Sequence, residues 1–166
     1  MKYLAYGSNL HLLRLVDRVP NVCFIGITKL ERCRLVFHKQ SIDGSSKCTL
    51  TFGDDSACAW GAIYEIPEIE VQLLDKVEGL NNGYDKHHMS VNVAGEDVIV
   101  FTYLASKSHL VYDLKHYHWY KAFVLAGAHQ RQFPKDYLEY IDGVDSQYDN
   151  DLTRRTNMEN ILVQLR

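Results

Sequence analysis

The sequence changes its hydrophobic period once, near residue 110, and that change bounds the folds open to it. Before residue 110 the apolar residues come in short runs or alternate with polar ones, the signature of strands. After it they recur at helical spacing. Strands first and helices later argue for an α+β fold, a small mixed but mostly antiparallel sheet or β-barrel with helices around it. No repeat and no low-complexity linker divides the chain. Residues 1–166 are therefore expected to form a single domain, with a helical C-terminal part over about 115–166.

Local chemistry marks the individual elements. Tyr3-Leu4-Ala5-Tyr6 is a short apolar run ended by a glycine turn. Val22 to Phe37 is rich in β-branched and aromatic residues, and Asp43-Gly44-Ser45-Ser46 is a turn signal. Cys48 to Phe52 alternates with period two and Ala57 to Ile66 reads as another strand. Val91–Val93 and Val98–Tyr103 flank Ala94-Gly95-Glu96-Asp97 as a hairpin. One helix interrupts these strands. Pro67 suits its first turn, Glu68 and Glu70 favour the positive end of its dipole, and Gly79 stops it. Ile69, Leu73 and Val77, with Leu74 beside them, form its expected apolar stripe. Further on, His116 to Gln130 is apolar nearly all round and is expected to be buried. Pro134 opens a helix with Tyr137, Leu138 and Ile141 on one face, and Met158, Ile161, Leu162 and Leu165 stand at helical spacing.

Composition excludes several classes of function. Lys plus Arg number 18 and Asp plus Glu 21, a net charge of −3, without the basic excess of a nucleic-acid binder or a polybasic membrane anchor. The longest apolar stretch, Ala122 to Ala128, has seven residues, against the roughly 20 that span a bilayer. The apolar start is cut at once by Gly7-Ser8-Asn9 and lacks the cleavage site of a signal peptide. Cys23, Cys33, Cys48 and Cys58 lie 10, 15 and 10 residues apart with no C-x-x-C pair, a spacing that fits neither zinc nor a redox dithiol. A reduced, cytoplasmic protein is the expectation.

Two segments carry candidate chemistry. In Tyr6-Gly7-Ser8-Asn9, Gly7 lets backbone approach a ligand, Ser8 and Asn9 are good N-caps, and His11 to Leu15 continues as a short helix. Unpaired N–H groups at such a turn suit a carboxylate or an oxyanion. The second segment is Leu73-Leu74-Asp75-Lys76-Val77-Glu78-Gly79. At about 100° per residue, Glu78 falls close to Leu74 and Val71 and away from Glu68, Gln72, Asp75 and Lys76. A carboxyl group there, partly desolvated and at the negative end of a helix dipole, is expected to bind its proton more tightly and to work as both acid and base. His116-x-His118 points its imidazoles apart on a helix, and His87-His88 reads as strand, so no metal site is assigned. Walker, dinucleotide-binding, nucleophile-elbow and zincin motifs are missing.

Taken in order, Tyr3-Leu4-Ala5-Tyr6-Gly7-Ser8-Asn9-Leu10, Trp60-Gly61, Leu74-Asp75-Lys76-Val77-Glu78-Gly79 and Tyr120-Lys121 before Gly127-Ala128 resemble the γ-glutamylcyclotransferase family over about residues 1–130. The resemblance implies a small mixed β-barrel with helices packed around it. It implies an intramolecular reaction in which the α-amino group of a γ-glutamyl compound attacks its own side-chain carbonyl, giving 5-oxoproline and a free amine or amino acid. Glu78 is then the acid/base, Tyr3, Leu4, Ala5, Tyr6, Gly7, Ser8 and Tyr120 hold the small-molecule substrate, and no cofactor is required. The chain departs from the family pattern after Gly79, through Tyr84 and Lys86-His87-His88, which leaves the leaving group open. The helical tail is a packing element or a homodimer element. The competing reading is a non-catalytic module that holds a carboxylate ligand at the Gly7-Ser8 loop.

Overall fold

β1 (Lys2–Ala5) is only four residues long, yet it runs through the middle of the main sheet. Tyr3, Leu4 and Ala5 are all buried, so the strand meets protein on both faces and needs no polar alternation. The other strands are β2 (Cys23–Glu31), β3 (Cys33–Gln40), β4 (Ser46–Phe52), β5 (Cys58–Glu65), β6 (Tyr84–Val93), β7 (Glu96–Ala105), β8 (His116–Tyr117) and β9 (Ser146–Gln147). The helices are α1 (Leu12–Arg18), α2 (Val71–Glu78), α3 (His118–Gln130), α4 (Lys135–Asp142) and α5 (Leu152–Val163). The computed structural model describes residues 1–163, so Leu165 lies outside the described residues.

The main sheet has the order β2-β5-β1-β7-β6. β1 is antiparallel to β5, with Tyr3 opposite Tyr64, and parallel to β7, where Tyr3 faces Phe101. The sheet curls until its two edges touch. Thr28 Oγ1 on β2 donates to the Asn92 carbonyl on β6 at 2.7 Å, making a half-barrel. β3 and β4 form a separate hairpin beside it, and β6 and β7 form the expected hairpin across Ala94-Gly95. The α+β, mostly antiparallel architecture read from the sequence is therefore the one observed. Among the described residues no helix is long and apolar enough to cross a membrane.

The strand-rich run Val22–Phe37 holds β2 and the start of β3, because Arg32 takes a left-handed φ of 55° and turns the chain between them. Three local expectations need correction. The N-cap of α1 is His11, whose ring accepts the Arg14 N–H, and not Ser8 or Asn9, which form a single 3₁₀ turn (Ser8–Leu10). α3 begins at His118, since His116 and Tyr117 pair with β9. The third is the face of α2. Ile69, Leu73 and Val77 are 83, 47 and 49% exposed, whereas Val71 and Leu74 are buried. The helix starts at Val71, so Ile69 belongs to the preceding 3₁₀ turn. Asp75 is drawn inward by the Tyr103 hydroxyl at 2.6 Å and by Lys86 at 2.7 Å, which rotates the apolar stripe outward.

α3 is pressed against the turn that follows β1. A Cβ at Gly127 would lie 2.4 Å from the His11 nitrogen and from the Leu10 carbonyl carbon, so the two backbones touch where only hydrogen fits. Gly127→Ala is expected to lower stability by about 1–3 kcal/mol through overpacking. Urea denaturation measures this, and an unchanged midpoint would contradict the close approach.

His116 adds a pH dependence. Its ring stacks on Phe37 at 4.0 Å, is 1% exposed and leaves Nε2 without a partner. Burial first, then the neighbouring Lys121, Lys47 and His118 charges against the opposing Asp145, push its pKa down to about 4. The unfolded chain therefore binds the proton more readily than the folded one below about pH 6.5, and stability falls as pH drops toward 4. The slope is up to about 1.4 kcal/mol per pH unit. His116→Phe should flatten that limb in thermal melts taken between pH 7 and 4.

Candidate active site

The strand β1 delivers Tyr6-Gly7-Ser8-Asn9 to the open end of the half-barrel, and α2 delivers Glu78 to the same place. Gly79 ends α2 in the left-handed conformation (φ 68°), which leaves Glu78 as the last helical residue, one turn beyond buried Leu74. The Glu78 side chain is 15% exposed.

Asn9 joins the two elements. Its amide nitrogen donates to Glu78 Oε1 and to the Tyr3 hydroxyl, both at 2.9 Å, and its amide oxygen accepts from Arg18 at 2.6 Å. Arg18 donates in turn to Glu78 Oε1 at 2.7 Å. Among the described residues, every hydrogen bond and ion pair to this carboxylate falls on Oε1. Oε2 carries none and is not sealed from solvent.

An inner pocket is lined by Tyr3, Tyr6, Gly7, Ser8, Asn9, Cys48, Glu78, Tyr84, Tyr103 and Tyr120. The N–H groups of Gly7 and Ser8 have no hydrogen-bond acceptor among the described residues. The phenols divide into two kinds. Tyr6 donates to the Tyr103 carbonyl and Tyr84 to the Cys48 carbonyl, so their protons are committed. Tyr3 accepts from Asn9, and Tyr120 accepts from the Cys48 N–H at 3.0 Å, so each keeps its own proton to donate. Burial, with a further contribution from the Glu78 charge, raises the pKa of both and keeps them protonated.

Glu78, Ser8, Tyr84 and Tyr120 also border an outer pocket that Arg14, Arg18, Lys39 and Lys47 line. Lys47 pairs with Asp43 at 2.6 Å. Burial outweighs that pair and pushes the Lys47 pKa down to about 8, helped by the Arg14 and Lys39 charges. The Arg14 Nε donates to Ser8 Oγ at 3.1 Å, and its guanidinium lies 4.6 Å from the Phe123 ring centroid.

Of the residues expected from sequence, Tyr3, Tyr6, Gly7, Ser8, Tyr120 and Glu78 come together at the inner pocket. Leu4 and Ala5 do not line it and lie in the core. Sequence reasoning did not include Asn9, Tyr84, Tyr103 or Cys48 in the wall, nor the four cations. Arg14 and Arg18 were visible as basic residues on the helix after the glycine turn. Lys39 and Lys47 had no such signal, because their convergence depends on a strand register. His118, outside the pocket, bonds Ser146, and His87 and His88 are exposed on β6.

The model of the AIG2-like family matches residues 59–141, half of the chain, and the chain belongs to that family. Over 164 residues it is 25% identical to the human protein named gamma-glutamylcyclotransferase, covering 95% of this chain and 84% of the relative. The Bos taurus protein of the same name is 24% identical over 149 residues, 86% of this chain and 78% of the relative. The solved structure of a gamma-glutamyl cyclotransferase superposes with a TM-score of 0.85 at 22% identity, covering 99% of this chain and 98% of the other. YkqA from Bacillus subtilis gives 0.73 at 19% identity, over 89% of this chain and 56% of that one. These likenesses establish the shared fold.

The Arg18–Glu78 pair makes a measurable prediction. Arg18→Met strands a half-buried carboxylate and is expected to cost about 1–3 kcal/mol. Glu78→Gln in that background should recover part of the loss, since a neutral amide needs no counter-ion. A double-mutant cycle read by urea denaturation tests the coupling, and strictly additive effects would rule it out.

Proposed function

We propose that the protein is a γ-glutamyl cyclotransferase that converts a γ-glutamyl compound into 5-oxoproline and a free amine or amino acid. The observation that carries this reading is the divided Glu78 carboxylate. Its Oε1 is held by Arg18 and Asn9, while its Oε2 is uncommitted at a pocket that also contains unpaired N–H groups. A held carboxylate with one open oxygen is the arrangement a proton shuttle requires. The curated relatives named for this activity support the same reading.

In the proposed chemistry the glutamyl part folds in the inner pocket with its α-amino nitrogen facing its own side-chain carbonyl. The ammonium loses one proton to water before attack. Glu78 Oε2 takes a second as the new C–N bond forms, and the carbonyl becomes an oxyanion. The Tyr3 and Tyr120 hydroxyls and the Gly7 and Ser8 N–H groups are its candidate donors, and one such donor is typically worth about 10²–10³ in rate. Collapse of the intermediate breaks the old C–N bond while Glu78 returns its proton to the leaving nitrogen, which then picks up another from water. Protons and charge balance over the cycle. Holding the chain bent for ring closure contributes the entropic part of the acceleration.

Release of 5-oxoproline from γ-glutamyl-alanine, followed by chromatography, is the direct test. Glu78→Gln keeps shape and removes the shuttle, and kcat is expected to fall about 10²–10⁴-fold. Undiminished turnover would reject the mechanism. Binding of γ-glutamyl compounds without 5-oxoproline would instead support a carboxylate-binding module.

A further inference from the structure

α2 is turned against its own hydrophobic pattern. At about 100° per residue, Leu73, Val77, Leu74 and Val71 share an arc of about 160°, whose middle lies roughly 60° from Glu78. A helix left to hydrophobic burial alone points the middle of that arc at the core. In the structure Val71 and Leu74 are buried while Leu73 and Val77 stay half-exposed. Glu78 falls between Val71 and Leu74, at the middle of the inward face.

A pair of cross-strand neighbours holds the helix in this turn. Lys86 on β6 faces Tyr103 on β7 in the ladder, so both side chains leave the same side of the sheet. Both close on Asp75. The Tyr103 hydroxyl donates to Asp75 Oδ1 at 2.6 Å, and the Lys86 ammonium spans Oδ1 and Oδ2 at 2.7 and 2.8 Å. Lys86 also lies 5.1 Å from the Phe101 ring centroid, and each end of the ion pair is only 20% exposed. Removing one partner of a pair so shielded costs far more than breaking an exposed one. Lys86 itself lines neither pocket at Glu78.

Asp75 and Glu78 are neighbours on one helix surface, so fixing the first fixes the direction of the second. A roll of about 20° around the α2 axis moves a carboxylate lying about 6 Å from that axis by about 2 Å. A misplacement of about 1 Å is enough to cost about 10²-fold in rate. We infer that Lys86 is a positioning residue for the reaction: it anchors Asp75 beside Tyr103 and so opposes the hydrophobic roll of α2 that would carry the Glu78 carboxylate away from the inner pocket. This rests on the cyclotransferase reading above.

The test is steady-state release of 5-oxoproline from γ-glutamyl-alanine by Lys86→Met, with kcat expressed per folded molecule from circular dichroism. The Gly7-Ser8 turn and Tyr120 are not carried by α2. kcat should therefore fall about 10- to 100-fold while KM stays within about threefold. Lys86→Arg keeps the charge and should retain most of kcat. Lys86→Gln carries the same expectation as Lys86→Met and replaces it if the latter does not fold. Leu73→Gln removes part of the drive for the roll. It should leave kcat of the otherwise unaltered enzyme unchanged and restore part of the loss in the Lys86→Met or Lys86→Gln background, whereas a merely weakened fold gains nothing from it. An unchanged kcat in the neutral Lys86 variant, or a loss that Leu73→Gln leaves in full, overturns the inference while the cyclotransferase reading stands. No 5-oxoproline from the unaltered enzyme overturns both.

Discussion

The site depends on the side chain of one amide. Asn9 is buried, and it bridges the phenol of a central strand, the guanidinium of α1 and the carboxylate of α2. An amide is suited to this position because it donates and accepts at once, so it satisfies Arg18 with its oxygen and Glu78 with its nitrogen. Aspartate would set a second negative charge against Glu78, and a hydrophobic residue would leave the Tyr3 hydroxyl without a partner and take one hydrogen bond each from Arg18 and Glu78. The glycine turn and the helix end come from distant parts of the chain, and this bridge fixes their separation.

Around that bridge the molecule is arranged as successive supports. α3 abuts the turn through Gly127, and its first residues carry Tyr120 to the Cys48 N–H on β4. The start of α3 is itself secured by Trp119, whose indole donates to Asp149 at 2.8 Å, and Asp149 takes Arg154 in a two-toothed pair. The helical tail thus supports the pocket's back wall, with Met158 accepting from Arg14 at 3.4 Å. Side chains that line the pocket are held by neighbours that do not, which is what preorganisation requires.

Much of the architecture was legible because it rests on local periodicity. The strand runs, the β6–β7 hairpin, α4 from Pro134 and the helical end of the chain all follow from spacing and turn chemistry. The angular position of Glu78 beside Val71 and Leu74 was readable as well, since a helix fixes it. The stripe Ile69, Leu73 and Val77 misled for a reason that periodicity does not contain. A tertiary tether on Asp75 from two neighbouring strands decides which way α2 turns. Lys39 and Lys47 were invisible for a related reason. They meet through a bulge, and a bulge is a property of the pairing of two strands, not of either strand alone.

The central location of β1 has a consequence for how the protein is made. Translation produces this strand before β5 and β7, yet Tyr3 has no lateral neighbour until Tyr64 and Phe101 exist. Until then Tyr3 and Leu4 are an unpaired, sticky segment, and closure of the sheet must wait until β7 has left the ribosome. Folding with such long-range pairing is slow compared with helical proteins of equal size. The Gly7-Ser8 turn, hung directly on that strand, is accordingly among the last parts of the molecule to take shape.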